Sequence, residues 1–279
     1  MPLALVTGPT AGIGRAFADR LARDGYDLVL VSRSATDLGS VAAELRAAHG
    51  VRVETLPGDL STVSGCRLVE ERVASGPPVD LLVNNAGTAL HKPFLHNGVE
   101  AEEALLDLNV RAVLRLTHAV LPGMLERGSG RVVNVASFTA LGPAGLSSTY
   151  PASKAWVLSF SEALARSAQL RGRGVRMMAL LPGFTRTELF DRSGFETAHL
   201  PRWVWLNSER VVDVALRDLE RGRVVSIPGL RYKAASWALR HLPRPLLRST
   251  SWDLWAPNGF WGPRPPAGAG PSGTAEPDG

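Results

Sequence analysis

Tyr150 and Lys154 stand four positions apart in the stretch YPASK, in a chain with only three tyrosines and three lysines among 279 residues. On a helix, positions i and i+4 share a face, so the phenol and the ammonium would present their polar ends to one point. A free phenol titrates near ~10. An ammonium one turn away favours the tyrosinate and pulls that value down, which makes the pair a candidate proton donor and acceptor. Pro151 suits the first turn of a helix, where a missing N–H costs nothing, and so sets Tyr150 near the helix entry. The competing reading is a solvated helix face.

A second group of residues suits phosphate. The apolar run LALVT ends in TGPTAGIG (7–14) and leads directly into a helical pattern. Glycines let the backbone turn tightly and approach a pyrophosphate, whose charge meets the unpaired N–H groups of a helix N-terminus. Gly8, Thr10, Gly12, Ile13 and Gly14 are therefore candidate cofactor contacts, with Arg15 as a further one. The next apolar run, DLVLVS (27–32), offers Ser32 and Arg33 where an acid would hold the ribose 2′-hydroxyl of NAD, and Asp37 lies too far along. An arginine attracts a phosphate that a carboxylate would repel, so the sequence favours NADP(H) over NAD(H). The alternative is a plain surface arginine after a strand.

These groups need a scaffold. Runs rich in Val and Leu at 3–7, 27–32, 51–56, 79–84, 131–136, 175–181 and 223–228 read as strands, apolar on both faces. Helical patterns lie between them, among them 14–25, 37–50, 103–128 and 151–171. The alternation predicts an α/β fold: one Rossmann-like, doubly wound domain over 1–230, with a mostly parallel seven-stranded sheet covered by helices on both faces. Residues 231–261 form a basic, Trp-rich extension, and the Pro/Gly-rich stretch 262–279 is expected to be a disordered tail.

With the elements in place, an ordered set of motifs resembles the short-chain dehydrogenase/reductase family. The set is TGPTAGIG at 7–14, GDL at 58–60, NNAG at 84–87, Asn109, Ser137, YPASK at 150–154 and PG at 182–183, covering residues 3 to 228. The resemblance implies a nicotinamide-dependent carbonyl reductase or alcohol dehydrogenase. Tyr150 would be the general acid/base and Lys154 would tune it and hold the nicotinamide ribose. Ser137 would orient the carbonyl oxygen, and Asn109 would hold a water linking the lysine to solvent. A strand-end turn for Ser137 and a helix-surface amide for Asn109 are the alternatives. Asp59 resembles the family's adenine-side residue, or else caps the following helix. Asn84 should support the sheet, while Asn85, Ala86 and Gly87 should bring backbone close to the cofactor. Pro182 and Gly183 would border the nicotinamide, with Thr185 and Thr187 on its carboxamide or the diphosphate. A silent cofactor-sensing or scaffold protein on the same fold need not keep Ser137, Tyr150 and Lys154 together. Pairing through the long helices at 103–128 and 151–171 implies a homodimer or homotetramer.

In the family, the stretch of about 184–215 folds over the substrate as a lid. Here it carries Phe184, Phe190, Phe195, Trp203 and Trp205, which suggests an apolar ketone or 3-oxoacyl-type substrate, unless those rings serve the core. The net charge of +5 equals the five bases between Arg231 and Arg248, a stretch without an acid. That concentration, with no nucleic-acid motif, argues against nucleic-acid binding. Bases mixed with Trp237, Trp252 and Trp255 suggest either peripheral contact with an anionic membrane or packing on the protein itself. No carboxylate or thiol joins His91 and His96 in a ligand set, so no metal is expected. The single cysteine, Cys66, and the lack of a visible secretory signal or an apolar span lead to an expectation of a soluble, cytoplasmic protein.

Overall fold

The computed structural model describes residues 1–90, 92, 94–142, 148–185 and 202–241. Seven strands form one sheet: β1 (Leu3–Thr7), β2 (Asp27–Ser32), β3 (Val53–Pro57), β4 (Leu81–Asn84), β5 (Gly130–Val135), β6 (Val175–Leu180) and β7 (Val225–Ser226). Their order is β3-β2-β1-β4-β5-β6-β7, and every neighbouring pair is parallel. The order reverses at β1, which has β2 on one side and β4 on the other. In open α/β sheets the crevice at such a reversal, beyond the carboxyl ends of the strands, is where ligands bind.

The described helices are α1 (Gly12–Arg23), α2 (Ala35–His49), α3 (Val63–Ser75), α4 (Val99–Leu106), α5 (Ala112–Arg127), α6 (Tyr150–Arg166), α7 (Ser208–Glu220) and α8 (Leu230–His241). A strand apolar on both faces must be covered twice, and it is. On one face Leu28 and Leu30 join Phe17, Leu21, Leu38, Leu45, Val211 and Leu219 from α1, α2 and α7. On the other, Val29 and Val31 join Cys66, Val69, Leu116 and Met124 from α3 and α5. Between the sheet and α5 and α6 runs a buried polar chain. Asn84 Nδ2 donates to Thr117 Oγ1 (3.1 Å) and to Asn134 Oδ1 (2.9 Å), and Asn134 Nδ2 donates to Ser161 Oγ (2.9 Å).

Three expectations need revision. The helix expected at 103–128 is interrupted: Asp107–Arg111 form a π turn, closed by Ala112 N–H on the Asp107 carbonyl. The extra residue per turn is what lets the amide of Asn109 bond both backbone groups of Thr88. The following helix stops at Arg166 rather than 171, because Ser167 turns to an extended conformation. The proposed lid, 184–215, is too long. Residues 208–215 belong to α7, whose Val211, Val212 and Ala215 are buried in the main core. Thr187, Phe190, Phe195, His91 and the tail beyond 241 lie outside the described residues.

Candidate active site

The carboxyl ends of β1, β4, β5 and β6 carry the residues singled out by sequence. At the end of β1 the chain takes positive φ at Gly8 (65°) and Gly12 (55°), backbone that a side chain would strain. A Cβ added at Gly14 would lie 2.0 Å from the Gly8 carbonyl oxygen, so that position admits glycine alone. The turn then enters α1, whose N-cap, Ala11, offers no side-chain oxygen to the first-turn N–H groups. Ser34, Thr62 and Asn207 do cap α2, α3 and α7. An uncapped helix start beneath a glycine turn suits a pyrophosphate, so the residues present fit a dinucleotide.

The residues around that turn divide their tasks. Asn85 Nδ2 donates to the carbonyls of Thr7 and Gly8 (3.0 Å each), and the N–H groups of Asn85 and Ala86 both donate to Thr7 Oγ1 (2.9 Å each). The Asn85 side chain therefore braces the turn from β4 rather than pointing outward. Thr7, which was not singled out from sequence, organises both segments. Thr10 is half-buried, and Ile13, itself half-buried, packs its side chain against the core, leaving its backbone to the turn. Arg15 pairs with Glu44 at 2.6 Å. Arg33 is exposed at the end of β2, next to half-buried Ser32, and makes no ion pair among the described residues. Asp59 does not cap α3; Thr62 does. Burial would raise the Asp59 carboxyl, but hydrogen bonds from the Ser61 hydroxyl and N–H, with the charge of Arg33, hold it below the ordinary value.

Tyr150 opens α6, with Pro151 in its first turn. Tyr150 and Lys154 are both buried, at 8% and 5% exposure, and Lys154 Nζ stands 5.8 Å from the phenol ring centroid. The ammonium donates to the Val135 carbonyl at the end of β5 (3.0 Å). Half-buried Ser137, just past β5, lies close enough to the phenol to favour its charged form, and its hydroxyl oxygen accepts the Thr139 N–H (3.2 Å). Asn109 is fully buried; its amide donates to the Thr88 carbonyl (2.9 Å) and to Ser153 Oγ (3.1 Å), and Ser153 Oγ donates to the Tyr150 carbonyl (2.7 Å). A Cβ added at Gly87 would lie 3.1 Å from Asn109 Oδ1 and 3.2 Å from Lys154 Nζ, so the NNAG backbone runs against both. Asn109, Ser137, Tyr150, Lys154 and Gly87 are thus brought together.

Burial pushes the Tyr150 phenol above its ordinary value, and the nearby Ser137 hydroxyl only partly offsets this. That reverses the expected lowering by the ammonium. Desolvation brings Lys154 itself down to about 8, and its hydrogen bond to the neutral Val135 carbonyl supplies no opposite charge to offset this.

Sequence reading missed Glu102. It is buried in α4 and accepts from Thr149 N–H (3.0 Å), Thr149 Oγ1 (2.6 Å) and Asn97 Nδ2 (2.8 Å). Burial would raise its carboxyl, yet those bonds hold it below the ordinary range. It anchors Thr149, the residue that precedes Tyr150. Its signal was available: Glu102, Leu105 and Asn109 share one helical face, and an acid there has to be buried. Beyond β6, Pro182 is buried, Gly183 is half-buried, and buried Thr185 donates from Oγ1 to the Gly183 carbonyl (3.0 Å). Among the described residues no cluster of three or more His, Cys, Asp or Glu could hold a metal, and no helix is long and apolar enough to cross a membrane.

Comparison with known proteins agrees with this geometry. A family model described as short chain dehydrogenase matches residues 2–196. A very-long-chain 3-oxoacyl-CoA reductase of Mycosarcoma maydis is 43% identical over 166 residues, covering 58% of this chain and 47% of that protein. The match therefore spans about half the length of that relative. An uncharacterised oxidoreductase of Staphylococcus saprophyticus is 36% identical over 188 residues, covering 67% of this chain and 80% of that one. Among solved structures, a short-chain dehydrogenase from Sphingobium yanoikuyae in complex with NADPH superposes with a TM-score of 0.80 at 36% identity, covering 89% of this chain and 96% of that one. A bulky-bulky ketone specific alcohol dehydrogenase from Comamonas testosteroni gives 0.76 at 30% identity, covering 89% and 94%. The glycine turn, the buried Tyr–Lys pair and these matches together make the chain a member of the short-chain dehydrogenase/reductase family, an oxidoreductase built on a Rossmann-like fold.

Proposed function

We propose that the protein is an NADP(H)-dependent reductase of apolar ketones or 3-oxoacyl compounds, with Tyr150 as the proton donor. The observation that carries this reading is the meeting of buried Tyr150, Lys154 and Asn109 with half-buried Ser137 beside Gly87. A bound reduced nicotinamide would supply the hydride. The chain's task is to fix the carbonyl and protonate its oxygen as negative charge develops there. The Ser137 hydroxyl orients that oxygen. Tyr150, held above its ordinary pKa, keeps its proton at neutral pH and is ready to give it. Lys154, at about 8, is still mostly an ammonium at neutral pH and stabilises the phenolate left behind. The sign follows: reduction runs at neutral pH, whereas alcohol oxidation, which needs the phenolate, accelerates as pH rises.

The turn of Gly8, Thr10, Gly12, Ile13 and Gly14 cradles the diphosphate through the N–H groups at the uncapped start of α1, the Gly8 N–H itself being given to the Val31 carbonyl (2.9 Å), and Asp59 serves the adenine side. Asn85 to Gly87, Pro182, Gly183, Thr185 and Thr187 border the nicotinamide half. Arg33, exposed and without an ion-pair partner among the described residues, supports the preference for a 2′-phosphate, with Ser32 beside it. Phe184 and Trp205, ring centroids 6.0 Å apart, support an apolar substrate, as do the names of the fungal and Comamonas relatives. Exposed Trp237 and Arg231 on α8 support weak contact with an anionic membrane, and exposed Leu106 and Leu114 support pairing of two copies. The lone, buried Cys66 fits a cytoplasmic setting.

The test is oxidation of NADPH and of NADH against a panel of ketones, aldehydes and 3-oxoacyl thioesters. Tyr150→Phe should lower kcat by about a thousandfold or more while NADPH still binds. Arg33→Ala should raise KM for NADPH about tenfold more than KM for NADH. A Tyr150→Phe protein with wild-type turnover removes the acid assignment, and equal cofactor effects remove the phosphate clamp.

A further inference from the structure

Gly183 has a neighbour that no cofactor motif calls for. A Cβ added there would lie 2.0 Å from Cζ of Tyr232, a residue of α8 outside the motif set. The Tyr232 hydroxyl accepts from the Phe184 N–H (2.9 Å) and donates to the Val204 carbonyl (2.9 Å). It therefore ties together two segments that lie about twenty residues apart in sequence. The same two segments meet twice more: Leu206 N–H donates to the Phe184 carbonyl (2.7 Å), and Thr185 bridges to Leu206. The edge of the Tyr232 ring meets Phe138, centroids 5.1 Å apart at 68°. Phe138 in turn follows Ser137 and donates its N–H to the Pro182 carbonyl (2.9 Å).

We propose that Tyr232 is a positioning residue of the active site: its ring occupies the space left by Gly183, and its hydroxyl clips Phe184 to Val204. This holds the Pro182–Thr185 segment at a fixed depth beside Ser137. Gly183 is glycine for the tyrosine's sake, and α8 is part of the site's frame rather than an appendage. The phenol must stay protonated to donate to Val204, and burial pushes it up to about 12, so the clip stays closed at any working pH. Tyr232 touches neither reacting atoms nor the Tyr150–Lys154 pair; it acts through the segment it holds. The kinetic part of this inference rests on the carbonyl-reductase reading, and the structural part does not.

Full-length wild type, Tyr232→Phe and Tyr232→Leu separate the possibilities. Hydrogen exchange at the Phe184 and Leu206 amides reads the clip without turnover, and steady-state kinetics with NADPH and the best carbonyl of the panel read its use. Tyr232→Phe keeps the ring and loses both bonds. It should speed Phe184 exchange about tenfold and raise KM for the carbonyl about tenfold, with kcat within about twofold and the pH profile unchanged. Tyr232→Leu, without the ring edge on Phe138, should also lower kcat. Unchanged exchange overturns the clip. Faster exchange with wild-type KM and kcat overturns the positioning role. Should the wild type reduce no carbonyl at all, the reductase reading falls on its own. The clip is then judged by exchange and by the NADPH dissociation constant, which Tyr232→Phe should raise about threefold; no change in either overturns it.

Discussion

The glycine turn after β1 and the tyrosine corner at the start of α6 stand at the same end of one sheet, yet they are built by opposite means. The turn is shaped by what is missing: side chains at Gly8, Gly12 and Gly14, and a cap at Ala11. The polar side chains nearby, Thr7 and Asn85, bond only to backbone. The corner is shaped by side chains reaching in from several elements. Lys154 reaches Val135, Asn109 reaches Thr88 and Ser153, and Glu102 reaches Thr149 and Asn97. A region made of voids is sensitive to added volume and indifferent to pH. A region made of buried titratable groups is sensitive to protonation.

Three substitutions can break or sharpen that contrast. The largest effect belongs to the turn. Gly14→Ala drives a methyl into the Gly8 carbonyl and should weaken NADPH binding more than about a hundredfold, with no dependence on pH. Fluorescence titration from pH 6 to 9 measures it, and near-normal affinity would mean that the turn can yield.

In the corner, Lys154→Met should do something a void cannot: abolish turnover while stabilising the free protein. The lysine titrates at about 8 when folded, against an ordinary 10.5, so the unfolded chain binds its proton more tightly. The resulting destabilisation, on the order of 3 kcal/mol, is fully present below pH 8 and fades as pH rises toward 10.5. Denaturant melts across that window should show wild-type stability rising relative to that of the methionine variant, since the buried Cys66 thiol and the tyrosine phenols, all raised by burial, shift both proteins alike. Parallel curves would place the ammonium in a wetter site than the structure gives.

The smallest effect is Glu102→Gln, which keeps the shape and removes the charge. It should cost about 1–2 kcal/mol at pH 7. Because the folded carboxyl is held below 4.5, the wild-type advantage is present above that value and should vanish as pH falls through the lowered one. An advantage that persists in acid would mean that the amide serves Thr149 as well as the carboxylate does.

The same contrast explains what the sequence made legible. Glycines in a strand–helix turn are visible because no other residue can replace them there, and apolar runs show where strands lie because both faces of the sheet are covered. YPASK was visible as a spacing. What stayed hidden depends on partners distant in sequence. That Lys154 would meet a neutral carbonyl, and that burial would outweigh its effect on Tyr150, follows from Val135 lying nineteen positions away and from the depth of the corner. The π turn is invisible because nothing in DLNVR marks an extra residue; only the Thr88 backbone, 21 positions earlier, explains it. Tyr232 was an ordinary helix residue until Gly183 was placed beside it; the spacing of Glu102 showed that it had to be buried, but not that Thr149 was its partner.

The paired amides of Asn84 and Asn134 also bear on how the sheet assembles. Strands made of Val and Leu can slide past one another with little loss, because each hydrophobic side chain is much like the next. Asn84 and Asn134 sit directly opposite each other in the β4–β5 pairing, joined at 2.9 Å. Shifting either strand by one position would strand both amides in hydrocarbon without a mate, a loss of several kcal/mol. The two asparagines thus act as a key cut into an otherwise featureless edge, so that only one alignment of the two strands closes without a gap in its bonding.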